Sequence, residues 1–116
     1  MQYLLLIYVS ESEEAKMSAA TLETVVGEYT SFTQGIIQSG QFKGAERLRP
    51  TASASTVRVR NGKTVITDGP FAETREQLGG YYLVEAKDQA EANAIAGRIP
   101  GAKYGSIEVR PIWPMS

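Results

Sequence analysis

The sequence contains no cysteine and no histidine. The missing cysteines exclude disulfide bonds and thiolate metal sites, and they favour the reducing cytoplasm as the location. The missing histidines remove the commonest general base and a common metal ligand, so any acid–base chemistry must use Asp, Glu, Tyr or Lys. The glycines are scattered at turns and the acidic residues lack ligand spacing. We therefore expect no metal, nucleotide or other cofactor.

Long apolar runs and a strong excess of one charge are also lacking. The longest apolar run, residues 3–9, is too short to cross a bilayer and lacks the features of a signal peptide. The 12 Lys and Arg residues nearly balance the 13 Asp and Glu residues, so we expect neither nucleic acid nor a membrane as a partner. At 116 residues, of which 42% are hydrophobic, the chain has the size and composition of a single globular domain spanning residues 1–116.

Two stretches show the periodicity of amphipathic helices. The first follows Ser18, a suitable N-cap, carries apolar residues every three or four positions, and reaches a stop signal at Gly40. The second follows Asp88 and Glu91, which have the spacing of a capping box, and is predicted to stop at Pro100. These local patterns predict where both helices begin and end.

A hairpin is predicted over residues 56–67. Its two β-rich runs are separated by Asn61 and Gly62, the two-residue turn whose members accept positive φ. Alternation is expected to turn Val57 and Val59 towards the body of the protein and the arginines towards solvent, where they guard the edge against pairing. After the hairpin, the capping-box spacing of Thr74 and Gln77 predicts one helical turn at residues 75–78.

The predicted strands at residues 2–9 and 81–86 are apolar on both faces. Two helices can cover only one face of a sheet in so short a chain, so the other face is expected to be closed by a second copy. The order of elements predicts an α+β fold of the ferredoxin-like type, βαββαβ, with an antiparallel sheet and an inserted hairpin. The residues expected at the homodimer seam are Leu4, Leu6, Tyr8 and Leu83.

The most unusual turn is formed by Asp68, Gly69, Pro70 and Phe71, which combine a carboxylate, a residue that tolerates positive φ and a residue with fixed φ. An arginine near a neutral cleft can hold a carboxylate ligand, and Arg47 is the candidate. The residues expected to border a ligand cleft are Arg47, Asp68, Gly69, Pro70, Phe71, Arg75 and Tyr82.

Three runs, MQYLLLIY, VRVRNGKTVITDGPFAETREQLGGYYLVEA and GSIEVRPI, resemble the DGPF subgroup of the YCII-related proteins. The resemblance spans nearly the whole chain, and it implies a ferredoxin-like subunit paired into a dimeric α/β barrel with a cleft beside the sheet. The motif Asp68-Gly69-Pro70-Phe71 is what carries over residue by residue. Some members carry a histidine and an aspartate in the cleft, but this chain has no histidine for such a pair. Association of the subgroup with extracytoplasmic-function sigma factors implies a regulatory setting.

Three roles remain open for Asp68 at this point. Its carboxylate can cap its own turn by accepting backbone N–H groups, or it can bind a small ligand in the cleft of a dimer. Alternatively, a desolvated Asp68 can act as the acid or base of a cofactor-independent isomerase or lyase, with Tyr82 or Arg75 stabilising a developing oxyanion.

Overall fold

The computed structural model describes residues 1–114, which form six strands and three α-helices. In chain order these are β1 (Gln2–Val9), α1 (Glu11–Glu14), α2 (Ala19–Gln38), β2 (Phe42–Arg47), β3 (Ser55–Arg60), β4 (Lys63–Asp68), β5 (Gln77–Glu85), α3 (Gln89–Gly97) and β6 (Ser106–Pro111). Two short 3₁₀ turns, Thr51–Ser53 and Pro100–Lys103, lie before β3 and before β6.

Four strands form an antiparallel sheet in the order β2-β5-β1-β6, with β1 and β5 at its centre. Helix α2 connects β1 to β2, and α3 connects β5 to β6, so the two helical connections follow the predicted order. Strands β3 and β4 pair only with each other, as a separate two-stranded sheet. The predicted α+β class with antiparallel sheets is confirmed, and no closed barrel forms within residues 1–114.

The core lies between the helices and one face of the four-stranded sheet. Alternate residues of β1 point into it, and Leu5 at its centre is fully buried. Val84 of β5, Ile36 of α2 and Ile99 after α3 are fully buried beside it. This burial stabilises the subunit because each such aliphatic side chain is worth roughly 1.5 to 3 kcal/mol when removed from water.

Both predicted helix starts are confirmed. The Ser18 Oγ accepts the N–H of Thr21 at 3.1 Å, and the Asp88 Oδ1 accepts the N–H of Glu91 at 2.9 Å. Helix α2 ends two residues before Gly40, whose φ of +80° suits glycine. The second ends at Gly97, and Pro100 begins a 3₁₀ turn instead of marking the stop.

The predicted helical turn at residues 75–78 is wrong, because β5 begins at Gln77. The Gln77 side chain does not cap a helix at residues 75–78. Its Nε2 donates to the Thr74 carbonyl at 2.6 Å, and its Oε1 accepts the backbone N–H of Glu11 at 2.9 Å. Glutamine suits a capping box, but here the side-chain amide of Gln77 is hydrogen-bonded to the backbone of Glu11, 66 positions away in the sequence.

The predicted hairpin forms, with positive φ at both Asn61 and Gly62. We call this β3–β4 hairpin, residues 55–68, the arm. The prediction that Val57 and Val59 face the body is wrong, since they are 60% and 61% exposed. The arm does not lie on the main sheet, and the radius of gyration is 16.2 Å, against about 13 Å for a compact domain of this length.

Candidate functional site

The face of the four-stranded sheet opposite the helices is apolar and has no covering layer within residues 1–114. Register places Leu4 opposite Leu83, and Leu6 opposite Tyr81, on this face. All the apolar residues here are half-buried, whereas their neighbours along β1, and along β5 from Gly80 to Val84, are buried under the helices. We call this surface the open face, and its central residues are Leu4, Leu6, Tyr8, Leu78, Tyr81 and Leu83.

Polar groups surround the apolar centre of the open face. Glu46 of β2 lies opposite Tyr81, and Glu108 of β6 lies opposite Leu6, so each edge strand contributes a carboxylate. Glu108 forms an ion pair with Arg110 two residues along the same strand. The hydroxyl groups of Tyr8 and Tyr81 form no hydrogen bond within residues 1–114. The open face therefore offers two phenol donors within an apolar surface.

The Asp68–Phe71 turn follows β4 at the base of the arm. The N–H of Gly69 donates to the Ala54 carbonyl at 2.7 Å, and the Thr56 Oγ1 donates to the Gly69 carbonyl at 2.9 Å. Gly69 has φ +94°, a value that favours glycine. The Asp68 side chain is exposed and forms no hydrogen bond within the described part of the chain. Gly69 and Thr56, rather than the Asp68 carboxylate, thus hold the turn.

The turn also presents an aromatic side chain to solvent. Phe71 is 79% exposed, although Gly69 and Pro70 before it are half-buried. A phenylalanine held in water by a fixed turn leaves a large apolar surface available for contact.

The remaining predicted site residues are not joined to this turn. Arg47, at the end of β2, and Arg75, in the loop before β5, are both exposed. Tyr82 is 7% exposed, and its hydroxyl oxygen lies 2.7 Å from the Thr33 Oγ1. None of these three shares a hydrogen bond or ion pair with Asp68 among residues 1–114.

The two adjacent tyrosines of β5 point to opposite faces of the sheet. Tyr82 packs edge-to-face against Phe32 at a centroid separation of 5.0 Å, in the core under α2. Tyr81 faces the other way, towards the open face, opposite Leu6. The sequence did not reveal this difference because β5 is apolar on both faces. The register shift between Ile7 and Tyr8 lies at Gly79 and leaves the pairing of Tyr81 and Tyr82 regular.

Sequence reasoning missed the set of hydrogen bonds that Glu11 makes at the base of the arm. The Glu11 carboxylate accepts the N–H of Thr51 at 2.9 Å and the Thr51 hydroxyl at 2.7 Å. The Glu11 backbone N–H donates to Gln77, so one residue of α1 contacts both segments that flank the arm. No local spacing could have predicted these contacts, since the partners are 40 and 66 positions apart.

A second concave region lies on the helix side, between α2 and the 3₁₀ turn before β6. This open groove has a volume of about 580 Å³. Lys103 already pairs with Glu28 at 2.8 Å, and the Arg98 guanidinium lies 5.9 Å from the centroid of the Phe32 ring. Both cations of the groove therefore have partners from the same chain, and the groove is a weaker site than the open face.

Among residues 1–114 there is no group of three or more acidic side chains arranged to hold a metal ion. No helix in the same part of the chain is long and apolar enough to cross a membrane.

Comparison with known proteins finds a family match over the full length of the chain. The YCII-related domain matches residues 1–116. An uncharacterised protein of Rhizobium meliloti (strain 1021) is 37% identical over 114 residues, which cover 97% of this chain and 92% of that protein. The chain belongs to the YCII-related family.

Proposed function

We propose that this protein is a cytoplasmic homodimer that binds a small molecule in a cleft beside the open face. The subunit is proposed to be of the ferredoxin-like type, with two copies stacked through their open faces into an α/β barrel. The strand order β2-β5-β1-β6 with both helices on one side supports this assignment. We also propose that the chain belongs to the DGPF subgroup and acts in the regulatory setting, associated with sigma factors, that this subgroup implies.

The observation that carries the proposal is the uncovered apolar centre of the open face. Leu4, Leu6 and Leu83 lie on the two central strands, where a sheet normally packs against another layer. Helices α2 and α3 lie on the other side and α1 has only four residues, so no helix within residues 1–114 forms a layer over them. A second open face is the complementary surface, because stacked sheets interdigitate side chains at a spacing of about 10 Å.

The chemistry of the cleft follows from its polar groups. The phenols of Tyr8 and Tyr81 can donate hydrogen bonds, and the exposed cations Arg47 and Arg75 can hold an anion. Tyr81 takes the place of Tyr82 in this proposal, because Tyr82 is packed in the core. The ligand class that fits is a small, partly apolar molecule with a carbonyl or carboxylate group.

The Asp68 carboxylate gives a second candidate function. It accepts no hydrogen bond within residues 1–114, so both of its oxygens are free to take a proton from a ligand. A cofactor-independent isomerase or lyase would use it as acid or base, with Tyr81 or Arg75 stabilising a developing oxyanion. Such a role requires cover from elsewhere, because Asp68 is exposed in the subunit.

Two measurements test the proposed function. Sedimentation velocity at micromolar concentration should give a dimer, and a compact monomer would contradict the proposal. A thermal-shift screen with aromatic and aliphatic carboxylates, keto acids and lactones should find a class that raises the melting temperature of the wild type more than that of Asp68→Ala or Tyr81→Phe. Glu13→Gln, at an exposed position of α1, is the control.

For the catalytic alternative, any turnover found in that screen should fall with Asp68→Asn. A rate unchanged by this substitution would exclude Asp68 as the base while leaving the binding proposal intact.

A further inference from the structure

One face of the arm is apolar and exposed. Val57 pairs with Ile66 and Val59 pairs with Thr64 across the hairpin, so these side chains share a face. Val57, Val59 and Ile66 are 60%, 61% and 67% exposed. A two-stranded hairpin is marginally stable alone in water, and it needs a packed face to become a fixed element. The arm thus presents an apolar surface, here called the arm face, that its own subunit leaves open.

The base of the arm is fixed to the subunit. Glu11 holds Thr51 on the incoming segment and contacts Gln77 on the outgoing segment. Gly69 and Ala54 close the two strands together by a backbone hydrogen bond of 2.7 Å. The chain extends 48 by 46 by 18 Å, a flat shape in which the arm stands away from the main sheet. The arm is therefore mounted to contact another molecule rather than to fold back.

The charges favour a second copy of this chain as that molecule. The arm carries Arg58, Arg60 and Lys63 on the face opposite Val57, Val59 and Ile66, and none of the three forms an ion pair within residues 1–114. Its single carboxylate, Asp68, lies at the base. Since the chain has 12 basic and 13 acidic residues, the part outside the arm has nine basic and twelve acidic residues. A basic arm and a net acidic remainder attract each other between two copies at long range, whereas the apolar arm face supplies the contact itself.

We propose that the arm of each subunit packs its arm face against the other subunit of the dimer, so that the partner closes the Asp68–Phe71 turn. A two-fold axis would cover both arms at once. The inference rests on the proposed function and adds that the ligand cleft is composite. The exposed Phe71 is the side chain that the partner would cover, because it lies only three residues after the end of the arm.

Substitutions on the two faces of the arm test its role. The triple variant Val57→Thr/Val59→Thr/Ile66→Thr keeps β-branched residues, so the hairpin should still form. We expect it to weaken dimerisation by about a hundredfold or more, because three apolar side chains would lose their burial. The control Val65→Thr changes the opposite face, where Val65 lies across from Arg58. It should alter the dimer dissociation constant by less than about threefold.

Sedimentation equilibrium over a dilution series gives these constants, and far-ultraviolet circular dichroism of each variant shows that the subunit remains folded. A triple variant that dimerises as tightly as the wild type would overturn the role of the arm and leave the proposed dimer standing. A monomeric wild type would overturn both, and a basic arm that binds duplex DNA in that monomer would identify nucleic acid as the occupant instead.

Cross-linking between isotopically distinct subunits tests the contact directly. Nitrogen-15-labelled and unlabelled protein are mixed, allowed to exchange, and treated with a zero-length carbodiimide reagent. Lys63 at the tip of the arm should form cross-links that join one labelled and one unlabelled peptide. Lys103 pairs with Glu28 at 2.8 Å within the subunit. Its cross-links should therefore join two peptides that are both labelled or both unlabelled. The proposal would be contradicted if the Lys63 cross-links never joined a labelled peptide to an unlabelled one.

Discussion

The hydroxyl oxygen of Tyr82 and the Oγ1 of Thr33 lie 2.7 Å apart, and this contact joins the central strand β5 to helix α2. Tyr81, the preceding residue, points to the open face. Adjacent residues of one type therefore have different roles, one in the core and one on the surface proposed to bind a ligand.

The two tyrosines should respond differently to loss of their hydroxyl groups. Tyr82→Phe leaves the part-buried Thr33 hydroxyl without its partner, so we expect a loss of about 1 kcal/mol in the free energy of unfolding. Tyr81→Phe removes a hydroxyl that has no hydrogen bond within residues 1–114, and should change stability by less than about 0.5 kcal/mol. Urea unfolding of both variants at one protein concentration measures the difference. Equal losses would show that the assigned facing of β5 is wrong.

Gly105 should not tolerate a side chain. A Cβ at this position would collide with the Tyr8 carbonyl oxygen and lie 2.9 Å from the Val9 Cγ1. The carbonyl belongs to the backbone of β1 and cannot turn away as a flexible side chain would. We expect Gly105→Ala to lower the free energy of unfolding by about 1 to 3 kcal/mol.

The control for this substitution is Gly27→Ala, in the exposed middle of α2. A Cβ there would meet no atom within 4 Å, and alanine favours a helix over glycine by about 0.5 to 1 kcal/mol. Thermal unfolding should therefore shift in opposite directions for the two variants. If Gly105→Ala raised the melting temperature, the close approach of Gly105 to β1 would be contradicted.

Glu11 should fix the base of the arm. In Glu11→Gln, one of the two oxygens that accept from Thr51 becomes an NH₂ donor. We expect a loss of about 1 to 3 kcal/mol in the free energy of unfolding, because a hydrogen bond to a charged group is broken. Trypsin should also cleave faster after Arg47, since the segment leading to Thr51 is released, whereas Arg49 precedes Pro50 and forms a bond that trypsin does not cut.

The matched control is Glu13→Gln in the same helix. Glu13 is exposed, and it pairs with Lys16 at 3.4 Å, a surface contact worth less than about 1 kcal/mol. Its cleavage rate and stability should stay close to those of the wild type. If the two variants were cleaved at the same rate, the Glu11–Thr51 contact would not hold the arm.

Tyr29 should make stability decrease at alkaline pH. Burial, followed by the charge of Tyr104, raises the pKa of Tyr29 from its ordinary value of 10.0 to about 12, although a hydrogen bond from Gly101 lowers it. The unfolded chain then loses the Tyr29 proton first. The stabilising effect is full below pH 10 and is lost as the pH rises to about 12.

The comparison with Tyr29→Phe measures this effect. At pH 8 the wild type should be the more stable protein, because the Tyr29 hydroxyl accepts the Gly101 N–H at 3.2 Å. The difference should shrink as the pH rises from 10 towards 12. A constant difference across that range would contradict the raised pKa.

Features that depend on neighbouring residues could be predicted from the sequence. Ser18 and Asp88 cap their helices through atoms three residues away, and Asn61-Gly62 forms its turn because both residues accept positive φ. The order of the six strands and of the two longer helices followed from the same short-range patterns, whereas α1 was not predicted. The special geometry of the Asp68–Phe71 turn was also recognisable, because Gly69 alone supplies the required φ of +94°.

Only the tertiary structure decided which way the side chains face. Both faces of β5 are apolar, so Tyr81 and Tyr82 could be distinguished only by the register with β1. The valines of the arm were expected to be covered, yet a hairpin turn does not fix where the hairpin docks. Local signals act over three or four residues, whereas the contacts of Glu11 with Thr51 and Gln77 arise when the folded chain brings distant segments together.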